Sequence, residues 1–206
     1  MSILSRLLSF LHHGGHVILP REGEESAEES LKKGEKLMEE GNHSAALRVF
    51  TDVINRNPRL HQAYYLRGRT KLKQARISRA VSDFSRAIAI DPTNAEYYEA
   101  RASARGMGKR PAKALLDIDI SIALSPDDAF FRFKKGYILA ILERHDEAIT
   151  ELSLSLIRDP NLHLALLERG RCYLAKRDTE RAYRDLSRAS EMGNEEAREM
   201  LAKLFG

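Results

Sequence analysis

The sequence predicts an all-α fold, a right-handed α-solenoid of stacked antiparallel helix hairpins, on three observations. Pro58, Pro92, Pro126 and Pro160 recur every thirty-four residues. Ala46, Ala80, Ala114, Ala148 and Ala182 keep the same period, and so do Gly34, Gly68, Ala102, Gly136 and Gly170. Self-similarity on this scale marks a repeat architecture, in which each unit can bury its apolar face only against its neighbours.

Frames opening at Ala27, His61, Ala95, Ala129 and His163 align five copies. In each copy the glycine column falls in a first helix and the alanine column in a second. Helix axes that approach to about 8 Å need small side chains between them, so small is expected to face small. Four residues beyond the alanines stand Phe50, Phe84, Ile118, Leu152 and Leu186, on the same helical face and expected to fill the seam with the next copy. Each proline closes a second helix, because it lacks an N–H and pushes its predecessor out of helical geometry. Those predecessors, Asn57, Asp91, Ser125 and Asp159, are turn and cap formers. The fifth copy places Asn194 where the proline would stand and runs into residues 195–205. There Ala197, Met200, Leu201 and Leu204 form one stripe, with Glu196, Glu199 and Lys203 elsewhere, as a helix capping the array requires.

The period, the Ala-x3-Phe spacing and the closing proline together resemble the tetratricopeptide repeat (TPR) family, with five copies over residues 27–194 and a solvating C-terminal helix within a domain of residues 27–206. The resemblance implies a non-catalytic scaffold or adaptor that binds a partner segment in a concave groove lined by the first helices. Two columns depart from the family pattern. Its tryptophan column reads Ser30, Tyr64, Tyr98, Arg132 and Leu166, so looser packing is expected at Ser30 and Arg132. Its leucine column is basic throughout: Lys33, Arg67, Arg101, Lys135 and Arg169. Sixteen residues further on come Val49, Asp83, Asp117, Glu151 and Asp185, so four of the five cations are expected to form internal ion pairs and Lys33 to stay exposed. The clamp by which some relatives grip chaperone tails is not expected, because its columns hold Leu31, Glu35, Leu66, Glu96 and Ala100.

Helix geometry within this frame assigns the groove wall. Tyr65, Arg69 and Lys73 come from the second copy, Phe130, Phe133, Lys134 and Tyr137 from the fourth, and Arg171 from the fifth; the third is bland. Large apolar side chains among cations predict a protein or peptide segment with hydrophobic anchors and acidic groups. Self-association stays open. The alternative surface is a basic rim at the turns within the hairpins, carrying Arg76, Arg79, Arg110, Lys113, Arg144 and Arg177. Residues 56–113 hold fourteen Lys or Arg against four Asp or Glu, a field that would draw RNA or an anionic membrane surface. The rim has no interleaved aromatics, which argues against nucleic acid.

Composition narrows the rest. The 206 residues are 43% hydrophobic with one cysteine and a formal charge of +4, and no apolar run is long enough to span a membrane. Cys172 reads as a buried small hydrophobe, and a reducing, cytoplasmic setting is expected. No catalytic, cofactor or metal site is expected. The GMGK of residues 106–109 lacks the spacing and the preceding strand of a phosphate loop, and His43, His61, His145 and His163 are separated by repeat geometry. His12, His13 and His16 read as a polar tail. Residues 1–26 stand apart from the repeats: an amphipathic stripe of Ile3, Leu4, Leu7, Leu8 and Leu11, free of acids before Glu22, then an acidic linker. That pattern admits an organellar, mitochondrial-type transit segment, a helix docking on the array or on a partner, an interfacial anchor or a disordered tail.

Overall fold

The computed structural model describes residues 25–205, so the amphipathic stripe and the three early histidines lie outside the described residues. These form eleven α-helices: α1 Ala27–Glu39, α2 His43–Arg56, α3 His61–Lys73, α4 Ile77–Ile90, α5 Ala95–Met107, α6 Pro111–Leu124, α7 Ala129–Ile141, α8 His145–Arg158, α9 His163–Ala175, α10 Thr179–Glu191 and α11 Glu195–Phe205. Five hairpins, α1/α2 to α9/α10, stack in chain order, and α11 packs on α10. First helices of neighbouring hairpins touch (α1 with α3, α3 with α5, α7 with α9), whereas second helices make no comparable contact. The first helices therefore line the inner side of a curved array. Helices α5 and α7 are the exception and stand further apart.

The turn inside each hairpin is a left-handed cap. Asn42, Arg76, Arg110, Arg144 and Asp178 donate their N–H groups back to the carbonyls of Leu37, Lys71, Arg105, Leu139 and Tyr173 at 2.8–2.9 Å, which ties off the end of each first helix. The residue before each donor has positive φ: Gly41 at 76°, but Ala75 at 55°, Lys109 at 56°, Glu143 at 59° and Arg177 at 61°. Left-handed backbone costs a residue with a Cβ about 1 kcal/mol. Ala75→Gly and Glu143→Gly are each expected to stabilise the array by about 0.5–1 kcal/mol, read as a rise in thermal midpoint.

Small residues face each other where Gly136 meets the Ala148 carbonyl and Gly170 that of Ala182, and a bulky side chain joins the contact. A Cβ at Gly34 would lie 2.4 Å from Phe50 Cε1, at Gly68 2.7 Å from Phe84 Cε1, and at Gly136 2.5 Å from Leu152 Cγ. The bulky residue one turn beyond each alanine thus lies across the glycine, occupying the space its missing side chain leaves. The same side chains serve the seam: Phe50 clusters with Ala63 and Leu66 of α3, and Phe84 with Ala100 and Ala104 of α5. At the C-terminal end Asn194 is buried, sits 2.9 Å from His163 Nδ1, and accepts the Ala197 N–H at 2.9 Å, starting α11 where the earlier copies have a proline.

The basic column forms its pairs. Arg67 grips Asp83 through two N–H donors at 3.0 and 2.8 Å, Arg101 grips Asp117 at 3.1 and 2.8 Å, and Arg169 grips Asp185 at 2.7 and 2.8 Å. Lys135 lies 2.9 Å from Glu151. Lys33 is exposed and reaches Glu25 at 3.3 Å. The structure adds a third arm to each arginine. Arg67, Arg101 and Arg169 also donate to Thr51, Ser85 and Ser153 of the preceding hairpin, at 3.3, 3.1 and 2.9 Å. Each arginine therefore staples its own hairpin to the one before it.

At the Ser30 and Arg132 corners polar contacts stand where the family pattern has an aromatic ring. Tyr64 and Tyr98 donate to the carbonyls of Pro58 and Pro92 at 3.2 Å, and Arg132 donates to Pro126 at 3.4 Å. The guanidinium takes over the phenol's hydrogen bond. Where Leu166 cannot donate, Arg188 reaches the Pro160 carbonyl at 2.8 Å. Ser30 is buried and accepts a hydrogen bond from Arg56 at 3.1 Å.

Candidate functional site

The gap between α5 and α7 follows from their sequences. Helix α5 turns Ala102, Ser103 and Gly106 toward α7, which offers Lys134, Tyr137 and Ile141, and small residues opposite large ones leave a recess of about 360 Å³. A Cβ built at Gly106 meets nothing within 4 Å, so open space begins at the backbone. A second recess, about 500 Å³, continues toward α3 and is lined by Tyr65, Arg69, Glu96 and Phe130. Glu99 and Ser103 border both. The result is one groove crossing α3, α5 and α7 on the concave side, which makes the bland third wall its floor.

The residues assigned to the groove from sequence divide in the structure. Phe130 and Tyr137 are 40% and 42% exposed. Tyr65 is half-buried, its ring 5.0 Å from that of Tyr97, with the Arg69 guanidinium 5.6 Å above it. Arg69 and Lys73 are exposed. Phe133 is corrected: it is 7% exposed, in a core cluster shared with Leu166 and Leu167 of α9, so the following hairpin covers it. Met107, 54% exposed at the end of α5, borders the recess and was not assigned from sequence; its place one turn after Ser103 on α5 was the available signal.

Two groove cations also need correction, because neither is free to meet a ligand carboxylate. Lys134 Nζ stands 3.4 Å from Glu99 and 3.3 Å from Ser103 Oγ, bridging the gap beneath the Phe130 ring. Arg171 is paired with Glu168 at 2.7 Å and with Glu196 of α11. Burial lifts the Glu168 carboxyl above the usual carboxylate range against the pull of Arg171. Glu99 and Glu196 come from neighbouring helices, α5 and α11, a relation the spacing within one repeat does not reveal, whereas Glu168 lies three residues before Arg171 on α9 itself. The groove is consequently of mixed charge, with its unshared positive side at Arg69 and Lys73.

The basic rim also divides. Arg76, Arg79, Arg110 and Lys113 are exposed along the second and third repeats. Arg144 is held by Glu147 at 2.6 Å, and nearby Lys176 and Arg181 are paired with Asp146 and Asp178. Arg177 occupies a left-handed turn. Charge at the rim is thus concentrated at its N-terminal half. Cys172 is 1% exposed, and burial pushes its thiol up to about 11, which keeps it protonated and unreactive at neutral pH. Among the described residues no three His, Cys, Asp or Glu side chains are grouped to hold a metal ion, and no helix is long and apolar enough to cross a membrane.

Comparison with known proteins bears on the fold. A family model described as tetratricopeptide repeat matches residues 31–95. No curated protein sequence matches the chain. Among solved structures the chain is similar to YrrB, described as a TPR protein with an unusual peptide-binding site, at a TM-score of 0.70 and 21% identity, covering 89% of this chain and 95% of that one. It is similar to MamA from Desulfovibrio magneticus RS-1, with a TM-score of 0.74, 17% identity and coverage of 82% and 96%. It is also similar to TTC0263, a TPR protein of Thermus thermophilus, with a TM-score of 0.69, 20% identity and coverage of 86% and 98%.

Proposed function

This chain is a tetratricopeptide repeat protein, and from that premise we propose that it serves as a non-catalytic scaffold or adaptor, binding a protein segment in the concave groove across α3, α5 and α7. The observation that carries the reading is the recess where Tyr137 and Ile141 face the bare backbone of Gly106. Exposed aromatic and aliphatic groups around a concavity are the usual anchor sites of recognition surfaces. One apolar side chain of the partner fills the recess, and an acidic group on the same segment meets Arg69 and Lys73. The peptide-binding site named for YrrB supports this use of the same fold.

A peptide library selected on the full chain tests the reading. Gly106→Leu, whose Cβ meets nothing within 4 Å, fills the recess, and Tyr137→Ala removes one wall. Each is expected to weaken the selected peptides at least about tenfold, measured by fluorescence anisotropy, with little change up to about 0.3 M salt. The second reading rests on the exposed cations Arg76, Arg79, Arg110 and Lys113, which would hold RNA or an anionic membrane surface. It takes precedence if binding ignores both groove substitutions yet collapses with salt and with Arg76→Glu and Arg110→Glu.

A further inference from the structure

Repetition gives the outer face of the array an internal control. On α2, α4, α8 and α10 the residues equivalent to Leu116 are Arg48, Ser82, Thr150 and Arg184, all polar as a solvated face requires. Helix α6 breaks the pattern: Leu116 is 65% exposed, Ile120 40% and Leu124 40%, while its opposite side buries Ala114, Asp117, Ile118 and Ser121. A spacing of four residues sets the three exposed side chains in one stripe. The stripe lies on second helix α6, away from the groove, and the groove reading leaves it unused.

We propose that this stripe is a self-association surface on which α6 of one copy packs antiparallel on α6 of a second, about a twofold axis through Ile120. Such an axis sets Ile120 on Ile120 and Leu116 on Leu124. It also brings Lys113, in the first turn of α6, to the far end of the partner's α6, where Asp127 stands in the turn just beyond the helix. The pattern of cation, three apolar residues and anion is complementary to its own reverse, which is what a twofold interface demands of a single surface. Lys113 is exposed, and the Asp127 side chain is 86% exposed, with an ion pair to Arg158 at 3.1 Å that solvent weakens. A stable interface needs about 800 Å² from each partner, more than three side chains supply, so a weak, concentration-dependent dimer is expected.

Sedimentation equilibrium of the full chain up to about 200 µM tests this. A monomer–dimer equilibrium is expected, weakened at least about tenfold by Leu116→Glu and by Ile120→Glu with helical circular dichroism unchanged. Lys113→Glu and Asp127→Lys are each expected to weaken it, and the two together to restore it. A chain that remains monomeric overturns the proposal, whether the stripe then meets the chain's own residues 1–24, a lipid surface or another protein. So does a dimer that Ile120→Glu leaves intact or that the charge exchange fails to restore.

Discussion

Asp117→Ala is expected to destabilise the array by about 3–5 kcal/mol, because it strands two cations inside the fold. The Asp117 side chain is 2% exposed and accepts from Arg101 twice and from Arg105 at 2.6 Å. Removing the carboxylate leaves Arg101, whose side chain is 16% exposed, without its counter-charge, and leaves only the Ser85 hydroxyl at 3.1 Å to satisfy it. That hydroxyl belongs to the preceding hairpin, so the loss also loosens the joint between the second and third repeats. Guanidinium unfolding is expected to show a lower midpoint and a shallower slope, because a repeat array weakened at one joint ceases to unfold as a unit. Asp52→Ala supplies the contrast. Its partner Arg56 lies at 2.9 Å, yet Asp52 is 65% exposed, and the cost is expected to stay below about 1 kcal/mol. Equal effects at the two positions would show that burial does not set the strength of these pairs.

Phe84→Ala is expected to cost about 3–5 kcal/mol through the cavity it opens between α3, α4 and α5. The ring is fully buried and lies across Gly68. Gly68→Ala attacks the same contact from the other side, since the new Cβ would stand 2.7 Å from the ring, and overpacking of this kind costs about 1–3 kcal/mol. The third repeat already holds the combination that relieves it, Ala102 with Ile118, both buried. Gly68→Ala joined to Phe84→Ile is therefore expected to cost at least about 1 kcal/mol less than the sum of the two single changes. A double-mutant cycle by chemical denaturation measures this directly, and strict additivity would mean that residues 68 and 84 do not share one space.

Much of the architecture was legible because a repeat poses one packing problem several times. Five small residues in one column and five alanines in another defined the hairpin, and the acid sixteen residues after each arginine defined the ion pair. What misled was inference about which partner a residue meets. Gly68 and Ala80 are both small, and the spacing did not reveal that the Phe84 ring also fills the space beside Gly68. Arg132 reads as a poor substitute for an aromatic, yet its guanidinium reaches the proline carbonyl that a phenol would take. The groove was the least legible part. Phe133 and Tyr137 lie one turn apart on α7, and only the position of α9 decides that the first is covered and the second is not. Lys134 and Arg171 read as free cations, yet α5 brings Glu99 to the first, and Glu168 on α9 itself together with Glu196 of α11 holds the second.

The sequence by itself determined the number of hairpins, their order, the helix that follows the fifth hairpin and the pairing of each buried aspartate with its arginine. These depend on contacts within one thirty-four-residue unit, where helical periodicity converts spacing directly into direction. Only the tertiary structure decided the separation of α5 from α7, the recess at Gly106 and the mixed charge around it. Those depend on how far one hairpin turns relative to the next, which follows from the summed shapes of side chains on different repeats and from no spacing along the chain.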